Sequence, residues 1–432
     1  MFQFANFRIY PASGLFGGTG FSPCCALMGA RGRLKPALTK ARRHQTFSAL
    51  KGRAVFAAAI CLFAAAPSAQ AGAVLQAGQD TFAEIGVQLQ AVSLVEKNQA
   101  GALAGNPNVA GDEFENYLKT GRLSLSGQVT PLASFYLQMA NDNAGKNYAP
   151  VTTSLLDSWV MFNFSTGGKL VVGIFPVQFS RSRLATTAST ITMDRPFMDE
   201  FQLDSGGLAQ KRDRGLMLWG NLSYLQYRIA VGDGAAPLPQ NAGGQSLRIH
   251  GRVHLSFGTP ESDFRYKEGY RGERNVLTIG YGFDRQNNAS QDAAGAPANY
   301  SAWTGDLLLE SKTGSGASTI TYSYYSYDWG NPERLDTNGN YVQGNGWQAM
   351  FAQTAMEGGA GIQPYARYAA WNSTSAATGA SQNRLAFGLN YLFKGDSLKM
   401  GAEYEQVRFP DPGATWDKRN YDRYGVQWQL VY

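Results

Sequence analysis

The chain is poor in reactive side chains: 432 residues carry three cysteines and three histidines. All three cysteines, Cys24, Cys25 and Cys61, fall within the first 71 residues. Residues 72–432 therefore have no disulfide framework, no thiol chemistry and no thiolate metal site. Beyond residue 71 the only histidines are His250 and His254. A metal site built on them needs a third ligand close by, so no metal or other cofactor is expected. A barrel-borne hydrolase needs a nucleophile held by a base, and these two histidines are the only imidazole candidates. No Gly-x-Ser-x-Gly elbow is present. Charged residues make up only 16% of the chain. No apolar run approaches the roughly 20 residues that a membrane-spanning helix needs.

The charge balance is uneven along the chain. Residues 1–71 hold nine basic residues and no acidic one, so the formal balance of +6 becomes −3 for residues 72–432. The basic character belongs to the leader, which removes the electrostatic case for nucleic-acid binding. Lys51-Gly-Arg53 precedes a short apolar run, Ala54 to Ala66, and Ala69-Gln70-Ala71 supplies small residues at a cleavage position. This order predicts a secretory signal peptide ending at Ala71, with a start at Met28 as an alternative to Met1. Residues 72–432 then form the exported body.

That body alternates. In the last nine residues, Tyr424, Val426, Trp428, Leu430 and Tyr432 share one parity, and Gly425, Gln427 and Gln429 the other. Side chains on a strand alternate faces, so one face is apolar and the other wet. The pattern returns at Ile85–Ala91, at Phe135–Met139, at Leu247–Phe257, at Leu277–Phe283 and at Leu385–Phe393. A hairpin is expected around 215–231, turning at Gly220-Asn221. The count reaches about sixteen strands of near ten residues, the length that crosses a bilayer when tilted. Short connections at 129–131, 165–168, 220–221, 312–317 and 394–397 alternate with long polar ones at 95–114, 141–153, 178–211, 232–245, 285–301, 328–345, 371–382 and 408–423. A soluble sandwich also alternates, but does not require uniform strands or this loop asymmetry. The expectation is an all-β antiparallel transmembrane barrel in a bacterial outer membrane, with lipid and lipopolysaccharide around it and both termini in the periplasm. The misfit is 258–274, a long charged connection on the short-turn side.

A closed tube of this size holds water, so its function is set by what lines and narrows it. Arg248, His250, Arg252 and His254 share the polar face of one strand and form a cationic stripe. Arg122, Arg228, Arg367, Arg384 and Lys399 also fall on lumen parity, opposed by Glu84, Asp157, Asp306, Glu310, Glu403 and Glu405. Loop 178–211 is too long for a plain connector, and is expected to fold inward as a constriction carrying Arg181, Arg183, Arg195, Lys211 and Arg212. Rings of arginine favour anions, and the guanidinium fork matches oxyanions such as phosphate. The 22 tyrosines are expected mostly on the lipid face or at its girdles.

Four segments, Val172–Ser180, Arg212–Gly220, Pro364–Tyr368 and Gly388–Tyr391, are similar to segments of the phosphate-selective porins of the O and P type. They occur in the same order, spread over most of residues 80–432. The resemblance implies a sixteen-stranded, trimeric passive porin, not an enzyme, whose partners are small inorganic anions. The family's lysine is absent from Ile174-Phe-Pro-Val-Gln178, which separates this chain from strict phosphate specificity. A general or sugar-type diffusion porin is the alternative. A siderophore-type transporter, with a plug and about 22 strands, exceeds the length available.

Overall fold

The computed structural model describes residues 73–101, 106, 108–148, 150–235, 246–336, 338–413, 415 and 417–432. The expected signal peptide and its cleavage position lie outside these residues. The strands are β1 (Ala73–Gln76), β2 (Phe82–Lys97), β3 (Glu113–Thr130), β4 (Ala133–Ala140), β5 (Ser154–Ser165), β6 (Gly168–Pro176), β7 (Arg212–Leu222), β8 (Leu225–Gly232) and β9 (Arg248–Gly258). They continue with β10 (Val276–Gln291), β11 (Pro297–Thr313), β12 (Gly316–Asp328), β13 (Gly344–Glu357), β14 (Ala360–Ser373), β15 (Gln382–Lys394), β16 (Leu398–Arg408) and β17 (Tyr421–Val431).

From β2 to β17 each strand pairs antiparallel with the next, and β17 pairs back onto β2 from Asp422↔Lys97 to Val431↔Gln88. Sixteen strands thus close on themselves, and the barrel has no open edge. The short β1 pairs with residues 82–85 of β2, beyond the point where β17 ends, and prolongs the seam. Closure satisfies the backbone groups that a bilayer cannot hydrate.

The alternation sorts the wall into two faces. Leu216, Leu218, Ile229, Ile279, Phe351, Phe387 and Leu389 stand exposed on the outside. On β17 Tyr424, Val426 and Leu430 face out, as does Tyr432 just after it, while Arg423, Gln427 and Gln429 are buried inside. An apolar outer band around a polar interior is the arrangement that dissolves in hydrocarbon. A bulge in β5 breaks the period: Gln138 pairs with Asp157 but Met139 with Leu155, so Leu156 and Asp157 are both buried.

Among the boundaries that differ from the sequence expectation, two are informative. The β7–β8 hairpin turns at Ser223-Tyr224, with Ser223 at φ +60°, and Gly220-Asn221 lies within the strand pair. Gly220 is small for a different reason: a Cβ there would stand 2.1 Å from the Gly167 carbonyl oxygen. The 285–301 connection shrinks to 292–296, because β10 and β11 extend well past the apolar segment that signals them. The asymmetry itself holds. One rim has connections at 131–132, 166–167, 223–224, 314–315, 358–359 and 395–397, the other has the long loops, and 259–275 is the long exception on the short-turn rim.

Candidate functional site: the constriction

Residues 177–211, between β6 and β7, turn into the barrel and touch its far wall. Near its start the loop lies against β9, where the Gln178 amide donates to His250 Nδ1 at 2.9 Å. Farther along, the Met198 carbonyl accepts from Tyr327 Oη at 2.8 Å, and the Ile191 carbonyl accepts from Asn390 Nδ2 at 2.8 Å. The Met193 amide donates to Glu403 Oε2 at 3.1 Å, and Thr187 Oγ1 accepts from Gln88 at 2.8 Å. Those partners sit on β12, β15, β16 and β2, so the loop crosses the bore.

Apolar burial holds much of it there. Val177, Phe179, Met198, Phe201 and Leu203 pack on Tyr300, Tyr325, Tyr327, Trp329 and Trp371 of the inner wall and its long-loop rim. Each such buried side chain is worth about 1.5–3 kcal/mol. These inward tyrosines run against the lipid-face expectation. They share parity with Thr and Ser, and burial under the loop makes an aromatic acceptable there. The wall also makes room. A Cβ on Gly282 would meet the Phe179 carbonyl oxygen at 2.2 Å, and one on Gly425 would meet the Met193 side chain at 2.5 Å.

The cationic stripe lies under this loop. Arg248 pairs with Asp284, with Nε to Oδ1 at 2.7 Å. Arg252 forks onto Asp306 at 2.5 and 2.7 Å and donates to the Phe179 carbonyl at 3.2 Å. His254 contacts Tyr266 Oη at 3.0 Å. All four stripe side chains are buried. Arg248, His250 and Arg252 join wall to loop, His254 joins the wall to segment 259–275, and each arginine charge is matched by a carboxylate. Similar anchoring uses Arg367, paired with Glu405 at 2.8 Å and donating to the Asp194 carbonyl at 2.6 Å. Lys399 donates to the Thr190 and Ala188 carbonyls. Arg181 forks onto Glu261 at 2.7 Å, Lys211 pairs with Asp204 at 2.7 Å, and Arg212 pairs with Asp157 at 3.2 Å. Arg228 is buried among Gln226, Gln178 and aromatic rings without a carboxylate partner among the described residues.

A cavity of about 630 Å³ opens beside the loop, and Arg122, Arg183, Arg195 and Arg384 of the expected set line it. Arg122 pairs with Asp142 at 2.5 Å and Arg183 with Glu200 at 2.8 Å. Asp194 takes Lys119 at 2.7 Å and Arg423 at 3.1 Å. Burial acts to raise the Asp194 pKa, but Lys119 and Arg423 outweigh it and hold the carboxyl well below its ordinary range. Arg195 has no carboxylate partner among the described residues. Its Nη2 donates to the Ala185 carbonyl at 2.6 Å and its buried Nε has no partner. Burial, with the Arg183 and Arg122 guanidinium groups, pushes its pKa down to about 9, so it keeps its charge at pH 7. Arg384 also lacks an ion pair among the described residues and lies 4.1 Å from the Phe197 ring centre.

Sequence reasoning missed Lys119, Lys146 and Arg423, which also line the cavity. Arg423 was within reach, since it sits opposite Tyr424 in the terminal alternation. Lys119 was not, because a bulge in β3 at that residue shifts the parity of its neighbours.

No protein-family model matches the chain, and no curated protein matches it. Solved structures do. The chain is similar to an anion-selective porin from Comamonas acidovorans at 12% identity, with 82% of this chain and 100% of that one covered and a TM-score of 0.53. It is similar to the outer-membrane channel DcaP of Acinetobacter baumannii at 13% identity, 84% and 100% coverage and a TM-score of 0.53. It is also similar to OmpF of Salmonella typhi at 8% identity, 82% and 98% coverage and a TM-score of 0.53. At such identities the likeness is one of fold: the chain is a closed sixteen-stranded antiparallel barrel of the porin type.

Proposed function

We propose that this barrel is an outer-membrane diffusion channel that passes small anions, phosphate-like oxyanions among them, in preference to cations. The observation that carries the reading is Arg195, a charged guanidinium at the constriction with no ion-pair partner among the described residues, on which the repulsion of Arg183 and Arg122 outweighs the attraction of Asp199. Around the cavity most charges cancel in pairs: Arg122 with Asp142, Arg183 with Glu200, Lys119 with Asp194. Among the described lining residues Arg195, Arg384 and Lys146 carry no ion pair, against Asp336 on the acidic side. An anion passing there relieves the repulsion that Arg195 feels from Arg183 and Arg122, and a cation adds to it. A tetrahedral oxyanion accepts the guanidinium fork with two oxygens. The resemblance to the phosphate-selective porins agrees with this and adds a homotrimer, which sedimentation in detergent would weigh.

The test is the zero-current potential across a planar bilayer in a salt gradient. The wild type is expected to favour chloride over potassium. Arg195→Gln with Arg384→Gln should lower that ratio by roughly two- to fivefold, equivalent to about 0.4–1 kcal/mol, the usual worth of partly exposed charge interactions. An unchanged ratio, or a cation preference in the wild type, would return the chain to the general-porin reading.

A further inference from the structure

Residues 259–275 do not behave as a rim connection. The other short-rim turns have two or three residues, whereas this segment enters the barrel and is buried there, with Tyr266 and Tyr270 at 0% exposure and Glu261 at 2%. On one flank Arg265 pairs with Asp157 of β5 at 2.6 Å, and the Phe264 ring lies 5.0 Å from Trp159 and 4.9 Å from Trp219. On the other flank Arg271 pairs with Asp396 in the turn between β15 and β16. Between them the Tyr270 and Gly272 amides donate to Glu310 of β11 at 2.7 Å each. The segment leaves the wall between β9 and β10 and reaches strands well to both sides, so it spans the short-turn half of the bore.

It is also joined to the constriction loop above it. The Thr186 amide donates to the Tyr266 carbonyl at 3.0 Å, and the Tyr266 amide donates to the Leu184 carbonyl at 3.2 Å. Arg181 forks onto Glu261, and the Ile191 amide donates to Glu268 Oε2 at 2.5 Å. Tyr266 and Phe264 cover the guanidinium of Arg228 at 4.7 and 5.2 Å, which explains how that unpaired arginine is held on the wall.

We propose that residues 259–275 are an internal strap that narrows the short-turn half of the bore and clamps the constriction loop from below, so that loop and strap together set the size limit of the channel. This rests on the channel reading and adds a second filter to it. Wall contacts hold the far side of the loop, and backbone hydrogen bonds and a buried ion pair on its underside fix its height in the bore.

Two variants test the strap in planar bilayers and in liposome swelling. In the first, 259–275 is excised and Gly258 is joined to Val276 through Asn-Gly. In the second, Arg265→Ala and Arg271→Ala release both flanks while Asp157 keeps Arg212. Excision is expected to raise single-channel conductance at least about twofold and to admit neutral sugars that the wild type excludes. Flank release should produce open-channel noise and substates absent from the wild type. Wild-type conductance and sugar exclusion in the excised barrel, shown to be folded by heat-modifiable electrophoretic mobility, would overturn the strap. If the excised barrel does not fold, quiet wild-type currents from the flank-release variant would overturn it as well. A wild type that carries no current would sink the channel reading instead, which keeps the two failures apart.

Discussion

Arg252→Gln is expected to destabilise the barrel by about 3–5 kcal/mol. Arg252 and Asp306 are fully buried and joined by two short bonds. Removing one partner leaves the Asp306 carboxylate in a dry site, where the Arg181 amide at 3.4 Å is its remaining donor. The loop also loses the bond from Arg252 to the Phe179 carbonyl. Replacing both partners by apolar groups, Arg252→Met with Asp306→Leu, removes two charges together and should restore most of the loss. Urea unfolding of the barrel in lipid vesicles reads both changes. A double variant as damaged as the single one would show that the cost lies in lost packing rather than in an orphaned charge.

The second large effect is expected at the junction of strap and loop. Burial acts to raise the Glu261 pKa, but Arg181, with the Thr278 and Tyr270 hydroxyl groups, more than offsets it and holds the carboxyl at about 2. The partner shifts to match, since Glu261 outweighs the effect of burial on Arg181 and raises its pKa. The groups facing Glu261 are Arg181 from the loop, Thr278 from β10, Tyr270 from the strap itself and the His254 ring, which lies 3.3 Å from the Glu261 carbonyl oxygen. A carboxyl whose folded pKa lies below its unfolded one contributes stability that is fully present above the unfolded value, near 4.5, and is lost as pH falls toward 2. The full contribution is about 3 kcal/mol. Glu261→Gln should therefore be about that much less stable than the wild type at pH 7, and the gap should close between pH 4.5 and 2, where the wild-type carboxyl also becomes neutral. A gap that stays constant across that range would mean that the ion pair does not act as the link.

The barrel is legible in the sequence because its signal is local. The alternation from Tyr424 to Tyr432 needs no knowledge of neighbours, and neither does the length of 178–211. The inward path of that loop follows from its length and mixed charge. The partners of the stripe are a different matter. Arg248 meets Asp284 and Arg252 meets Asp306 only after β9, β10 and β11 are set in register. Parity alone left those arginines facing water, whereas pairing and the overlying loop bury them. The inward tyrosines were hidden for a related reason. Tyr327 looks like a girdle residue until Phe201 and Phe179 come to lie on it, with Tyr325 stacked beside it. At Gly220 the small residue serves a close backbone approach that sequence reasoning mistook for a turn. The strap showed itself only as a connection of the wrong length on the wrong rim.

The claim on which the rest depends is that the inward loop puts Arg195 on the ion path. Residues 72–432 contain no cysteine, so Arg195→Cys places a single thiol in the barrel. Single-channel current is then followed while a negatively charged, thiol-specific sulfonate reagent is added on the long-loop side. A stepwise fall in current on modification is expected, with the preference for chloride diminished. A thiol shown by mass to be modified, with current and selectivity unchanged, would place Arg195 away from the path and contradict it.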